Sequence, residues 1–241
     1  MKRYFNIIFL LFLCFACVLS SQQFQTVMNP NTKISSGSSL RKPLTIVIDP
    51  GHGGRDPGKV GVNNALEKDV NLVIAMKLKN LLEQNDIKVI MTRTEDVGLY
   101  SESDSNKKRA DLNARVQMIQ DSNADLAISI HQNSFTEEYV KGAQVFYHSK
   151  SPQGKLLAEI LQSQIVTTIA DGNHRKAKSN SNYYMLTKTD CPLVIVECGY
   201  MSNIREAALL LDDEYQEKMA YAIHLAIFRF LNRGGLKKDE V

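Results

Sequence analysis

Apolar positions fall into two alternating patterns along this chain. Short, β-branched runs stop at turn residues, and each is followed by a longer stretch with apolar residues three and four apart. The first run, 44–48 (Leu-Thr-Ile-Val-Ile), ends at Asp49-Pro50-Gly51 and reads as a buried strand. Residues 67–84 carry Val70, Val73, Ile74, Met76, Leu78, Leu81 and Leu82, the spacing of a helix with one broad apolar face, for which Asn63 or Asn64 is a candidate cap. Strands are predicted over 87–91, 126–130, 142–147 and 193–196, and helices over 111–121, 155–169 and from Asp212-Asp213 to 231, closed by Gly234-Gly235. Residues 95–106 are acidic and serine-rich and read as a loop. Strands alternating with helices predict an α/β fold: a mostly parallel twisted sheet with helices on both faces, in a single domain.

The N-terminus changes this picture. Lys2 and Arg3 precede an apolar run over 4–19, with Val18-Leu19-Ser20 as a small-residue cleavage site. Residues 1–20 therefore read as a signal peptide; a retained N-terminal membrane tether is the competing reading, and Cys14-Phe15-Ala16 before Cys17 fits a lipobox poorly. Under either reading the domain is exported. Residues 21–42, rich in Ser, Gln, Asn and Thr, read as a flexible linker, 43–233 as the folded domain and 234–241 as a charged tail. A formal net charge of +3 gives no case for nucleic acid as a partner. Cys191 and Cys198 flank a predicted strand, which sets them about 20 Å apart, at ~3.3 Å per residue, too far to pair.

Three of the less common polar residues lie at the carboxyl ends of predicted strands: His52 after the first, His131 after 126–130, and Glu197 after 193–196. Glu67 opens the helix that follows the first strand, and so starts near the same edge, where open α/β sheets bind ligands. Two His and one Glu make a ligand set for catalytic zinc, with a fourth position left for water. The remaining Glu is then free as general base and acid. Spacing leaves open which Glu takes which role. A lone strand-end His is more often a turn residue, and a first-turn Glu favours the helix dipole whatever its function. Glu197, after four apolar strand residues, needs a partner if it is buried. Cys198 is expected on the opposite face as a small buried residue, and His148, His174 and His224 as structural or surface histidines. Arg93 and Arg115 are candidates for contacting a substrate carboxylate, with a structural ion pair as the alternative.

Four ordered blocks carry a resemblance: Asp49-Pro50-Gly51-His52-Gly53-Gly54, Leu66-Glu67-Lys68-Asp69, Ser129-Ile130-His131-Gln132-Asn133, and Val196-Glu197-Cys198-Gly199-Tyr200-Met201-Ser202-Asn203. With the lesser blocks Met91-Thr92-Arg93-Thr94, Leu112-Asn113-Ala114-Arg115 and Asn182-Tyr183-Tyr184-Met185-Leu186 before Cys191-Pro192, they resemble the zinc-dependent N-acetylmuramoyl-L-alanine amidases of phosphorylase/hydrolase-like fold, over residues 44–231. The resemblance implies that His52, Glu67 and His131 bind Zn2+, that Glu197 is the catalytic carboxylate, and that the amide between N-acetylmuramic acid and L-alanine of peptidoglycan is hydrolysed. Gln132 departs from the small residue common at its position, and Tyr200-Met201 from Phe-Leu.

The short form with a leader resembles the sporulation branch of that family, which implies a role in spore-cortex maturation, muramic-δ-lactam formation and germination, in the cell wall or forespore intermembrane space. The stretch 132–141 is too short for the extra helix that occludes the site in some relatives, so an accessible site is expected. No wall-binding repeat is seen, so a protein activator or targeting partner is expected. Three other readings remain: a different zinc wall hydrolase, either peptidase or deacetylase; a wall-binding domain without chemistry, against which all four site residues stand; and a tethered scaffold.

Overall fold

The computed structural model describes residues 43–236, so the leader, the linker and the end of the charged tail lie outside the described residues. Six strands form one sheet in the order β2-β1-β3-β6-β4-β5: β1 (Thr45–Pro50), β2 (Lys88–Met91), β3 (Leu126–Asn133), β4 (Gln144–Tyr147), β5 (Lys178–Ser179) and β6 (Leu193–Tyr200). β1, β2, β3 and β6 run parallel, and β4 is antiparallel to β6. The expected mostly parallel α/β sheet is thus present, with an antiparallel edge.

Strand alternation divides the core. Ile46, Ile48, Leu126, Ile128, Ile130, Val194, Val196 and Cys198 pack on one face against α1 (Glu67–Glu83), α3 (Pro152–Ile169) and α6 (Asp213–Asn232). Val47, Ala127, Phe146, Leu193 and Ile195 pack on the other against α2 (Lys107–Asp121) and α4 (Tyr184–Lys188). Cys198 is buried on the face opposite Ile195, as expected, and both Cys191 and Cys198 are free.

Helix α1 starts without an asparagine cap. Leu66 is the N-cap and makes no side-chain bond; Asn63 instead donates from Nδ2 to the Ala207 carbonyl at 2.7 Å. The N–H groups of Glu67 and Lys68 go to the carbonyls of Lys59 and Pro57 at 2.9 and 3.1 Å. A returning loop thus satisfies the helix start that a side chain would otherwise cap, and it lies directly over Glu67. Helix α2 begins four residues earlier than expected, because the Asn106 side chain accepts from the Arg109 N–H at 2.9 Å. β5, α4 and α5 (Ile204–Leu209) lie outside the predicted elements; they span two to six residues, too few to show a period. Helix α6 ends as Gly234-Gly235 suggests: Gly234 has φ 70°, and the N–H groups of Gly234 and Gly235 return to Leu231 and Phe230.

Two irregularities shape the sheet's carboxyl edge. The β3–β6 register runs His131↔Glu197 and then Asn133↔Tyr200, so β6 holds one extra residue. Such a bulge returns Tyr200 to the face that Glu197 occupies; regular alternation would send it to the other. The second is the stretch between β3 and β4, which carries no helix.

Candidate metal centre and active site

The backbone just past β1 is built first. His52 sits at φ 64°, a left-handed conformation unusual for a side chain of this size. Two arginines hold it there. Arg93 donates from Nε to the Pro50 carbonyl and from Nη2 to the Gly51 carbonyl, at 2.9 and 3.0 Å. Arg115 donates from Nη1 to the Pro50 carbonyl and from Nη2 to the His52 carbonyl, at 2.8 and 2.6 Å. Asn71, one turn after Glu67 on α1, adds a bond to the Gly51 carbonyl. Both arginines are buried, at 3% and 1% exposure, and Arg115 is ion-paired with Asp49 and Asp111. Neither is open to a substrate carboxylate; the structural alternative holds for Arg115, while Arg93 binds carbonyls.

His52, Glu67 and His131 converge around one centre, with a ligand atom of each within 4.8 Å of the others. Glu67 Oε1 lies 3.2 Å from His52 Nε2 and 3.0 Å from His131 Nδ1, and also accepts from the Gln132 N–H at 3.0 Å. Its other oxygen, Oε2, accepts from the Lys59 N–H at 2.7 Å. Close packing leaves no slack. A Cβ on Gly51 would come within 2.2 Å of the His131 ring, and one on Gly58 within 2.5 Å of Glu67 Oε2. Glu67 is buried, while His52 and His131 keep 20% and 22% of their side-chain surface exposed, so the centre opens to solvent. Accessibility agrees with the short 132–141 stretch.

The donor set suits a divalent cation. His52 Nδ1 is 2.9 Å from Asp56 Oδ2, so its N–H is directed to a carboxylate and Nε2 points at Glu67. Burial alone would lower the His52 pKa, but hydrogen bonds to Asp56 and Glu67 lift it to about 9. Burial would likewise raise Glu67, yet the imidazoles of His131 and His52 hold it well below the usual carboxylate range. Two imidazoles and a carboxylate closing on one centre, with a second carboxylate behind His52, form a donor set rich in lone pairs. A metal supplies the matching positive charge at separations close to these, since ligands ~2.1 Å from a tetrahedral zinc lie about 3.4 Å apart. A carboxylate on the far imidazole nitrogen is the usual support of a metal-binding histidine.

Glu197 lies beside this centre, paired in register with His131 and 7% exposed. Burial pushes its carboxyl up to about 7, opposed by His131 and aided by Glu67. Its Oε2 has no hydrogen-bond partner among the described residues. The Tyr183 hydroxyl faces Glu197; burial first, then that carboxylate, push the phenol up to about 12. Of the histidines read as structural, His224 packs between Tyr221 and Phe228 on α6. Sequence reasoning missed Asp56, Asn71 and Tyr183. Asp56 stands four residues after His52, an offset with no meaning until the loop's shape is known.

Known proteins share this arrangement of elements. Residues 46–229 match the family model described as N-acetylmuramoyl-L-alanine amidase. The germination-specific N-acetylmuramoyl-L-alanine amidase of Bacillus subtilis is 37% identical over 193 residues, which cover 79% of this chain and 81% of that protein. The amidase LytC of the same organism is 31% identical over 199 residues, but these are only 37% of its length. Among solved structures, the CwlD amidase of Clostridioides difficile, in complex with the GerS lipoprotein, superposes with a TM-score of 0.77 at 37% identity, covering 79% of this chain and 99% of that one.

Proposed function

The chain belongs to the N-acetylmuramoyl-L-alanine amidase family, and from that premise we propose that it works with zinc held by His52, Glu67 and His131 and with Glu197 as its catalytic carboxylate. It is an enzyme that hydrolyses the amide between N-acetylmuramic acid and L-alanine in peptidoglycan, so the peptidase, deacetylase and silent-domain readings fall away. The observation that carries the site assignment is the meeting of both imidazoles on Glu67 Oε1, beside a buried Glu197 with an unpartnered oxygen.

Zinc bound there supplies a Lewis acid that polarises the scissile carbonyl and acidifies water. The protein's own groups do the rest. Asp56 fixes the His52 tautomer and presents Nε2 inward. The Lys59 and Gln132 N–H groups hold the two Glu67 oxygens in place. Glu197 stands beside these ligands as a register partner of His131, with burial raising its carboxyl above the usual range. Ionised, it accepts the proton of the attacking water, then returns it to the departing L-alanine amine. Mass spectrometry of peptidoglycan treated with the purified protein, with zinc and then with a chelator, tests this directly. Zinc-dependent release of stem peptides with a free L-alanine amine is expected, and release that persists without metal would defeat the zinc assignment.

We further propose that the cell role is spore-cortex maturation leading to germination. Support comes from the B. subtilis relative, whose name is germination-specific. A deletion strain that kept muramic-δ-lactam in its cortex would overturn it. A protein partner also belongs to this proposal, because the C. difficile relative was solved in complex with a lipoprotein. So does export by way of residues 1–20 and a tether over 21–42; among the described residues no helix is long and apolar enough to cross a membrane.

A further inference from the structure

The active-site face continues past Glu197. His131, Glu197 and Gln144 are register partners across β3, β6 and β4, so their side chains form a row on one face. The bulge in β6 adds Tyr200 to that face, and the Arg175 guanidinium lies over the Tyr200 ring, 4.8 Å from its centroid. Arg175 is fixed by two further contacts, Nε to the Lys141 carbonyl at 2.7 Å and Nη1 to Gln144 Oε1 at 3.2 Å. Its backbone is anchored as well. Buried Asn173 accepts from the Arg175 N–H at 2.9 Å and donates to the Ala143 carbonyl at 2.8 Å. Nonetheless Arg175 has no carboxylate partner: the arginine–carboxylate pairs among the described residues belong to Arg55 and Arg115. A rigidly mounted, partly exposed guanidinium at the end of a catalytic row is a built receptor for a carboxylate.

Resting on the amidase reading above, we propose that Arg175 binds the carboxylate on the second residue of the stem peptide and so sets its direction across the site. The order of the strands gives the direction. With the scissile carbonyl at His52, Glu67 and His131 and the leaving nitrogen at Glu197, the peptide runs on over β4, and the glycan lies on the β1 side. The reach agrees: strands are about 4.8 Å apart, which puts Gln144 one strand, about 5 Å, from Glu197 and two strands, roughly 10 Å, from His131 and the scissile carbonyl. Two extended residues span up to about 7 Å, and a carboxylate-bearing side group covers the remainder.

The test uses two synthetic muramoyl peptides that differ only at the second residue, one with a free carboxylate and one with the carboxamide. Wild-type enzyme should cleave the carboxylate form with a kcat/KM about tenfold or more higher, as expected for losing a charge-assisted bond. Arg175→Gln should erase that preference, bringing kcat/KM on the carboxylate form down to that on the carboxamide, and Arg175→Lys should keep part of it. Titration of the released peptides, carboxylate against carboxamide, should show the same discrimination in binding alone. Equal cleavage of both substrates by wild type, or a preference that survives Arg175→Gln, overturns the subsite and leaves the amidase reading standing. Cleavage of neither defeats both. A variant that melts early is set aside, because the wild-type substrate pair and Arg175→Lys decide the matter without it.

Discussion

Arg115 donates from Nη2 to the backbone carbonyl of His52 at 2.6 Å, while its Nη1 holds Asp49 Oδ1 at 2.7 Å. One side chain on α2 thus fixes both the acidic residue of β1 and the strained residue that turns toward the candidate metal centre. Asp49 is further bound by the hydroxyls of Thr92 and Ser129, so β1, β2, β3 and α2 are tied at a single buried point.

Arg115→Met should therefore destabilise the protein by about 3–5 kcal/mol, because it strands the Asp49 carboxylate away from water. Urea unfolding of the metal-free protein measures it. A midpoint equal to wild type would show that the ion pair contributes nothing net. Arg115→Lys should recover part of the loss, since an ammonium can reach Asp49 but cannot serve the Pro50 and His52 carbonyls together.

Acid should unfold the protein through the same group. Burial would raise the Asp49 pKa, but Arg115 and the two hydroxyls outweigh it and hold it at about 2. A carboxylate depressed in the folded state contributes stability that is full above its unfolded pKa and declines as pH falls toward the folded one. The window is about pH 4 to 2, and the contribution is on the order of 2 kcal/mol, since each tenfold change in proton affinity is worth ~1.4 kcal/mol. Thermal melts from pH 5 to 2 on wild type and Asp49→Asn should show a steeper acid loss in wild type; parallel curves would remove Asp49 as the cause.

Asp56 should bear on metal binding rather than on the fold. Its side chain is 41% exposed and its partner is His52 Nδ1. Asp56→Asn should weaken zinc binding about 10–100-fold, the usual effect of losing a carboxylate behind a histidine ligand. Chelator competition reads this, and the urea midpoint of the metal-free protein should stay near wild type. Unchanged zinc affinity would mean that the carboxylate does not orient the ring.

The two glutamates should separate by assay. Glu67→Gln should lose zinc and activity together. Glu197→Gln should retain zinc and lose about 10²–10⁴-fold in kcat, the range for a general base and acid. Zinc loss in Glu197→Gln rather than Glu67→Gln would reverse the roles.

Gly51 offers a steric test. A Cβ there falls 2.2 Å from the His131 ring, so Gly51→Ala must displace that imidazole or the loop. Zinc affinity should drop sharply, and an alanine variant with wild-type affinity would show that the loop yields easily.

The sequence by itself determined the β/α alternation, the mostly parallel sheet and the edge at which His52, His131 and Glu197 gather. Those follow from short continuous apolar runs bounded by turn residues and from period-3.6 apolar spacing, which are local and survive in one dimension. It also carried the four candidate site residues, because each closes or opens an element that the pattern marks. Only the tertiary structure decided the rest. Arg93 and Arg115, candidates for substrate by sequence, turn inward because the carbonyls of Pro50, Gly51 and His52 at the end of β1 and the Asp49 carboxylate, far off in sequence, require donors. Asp56 becomes a support for His52 once the loop bends to φ 64°. Tyr200 and Arg175 join the catalytic face through one extra residue in β6, and a bulge of that kind is set by pairing between strands. Such relations are long-range: burial creates the demand for a partner, and the fold, rather than the neighbouring sequence, selects which residue meets it.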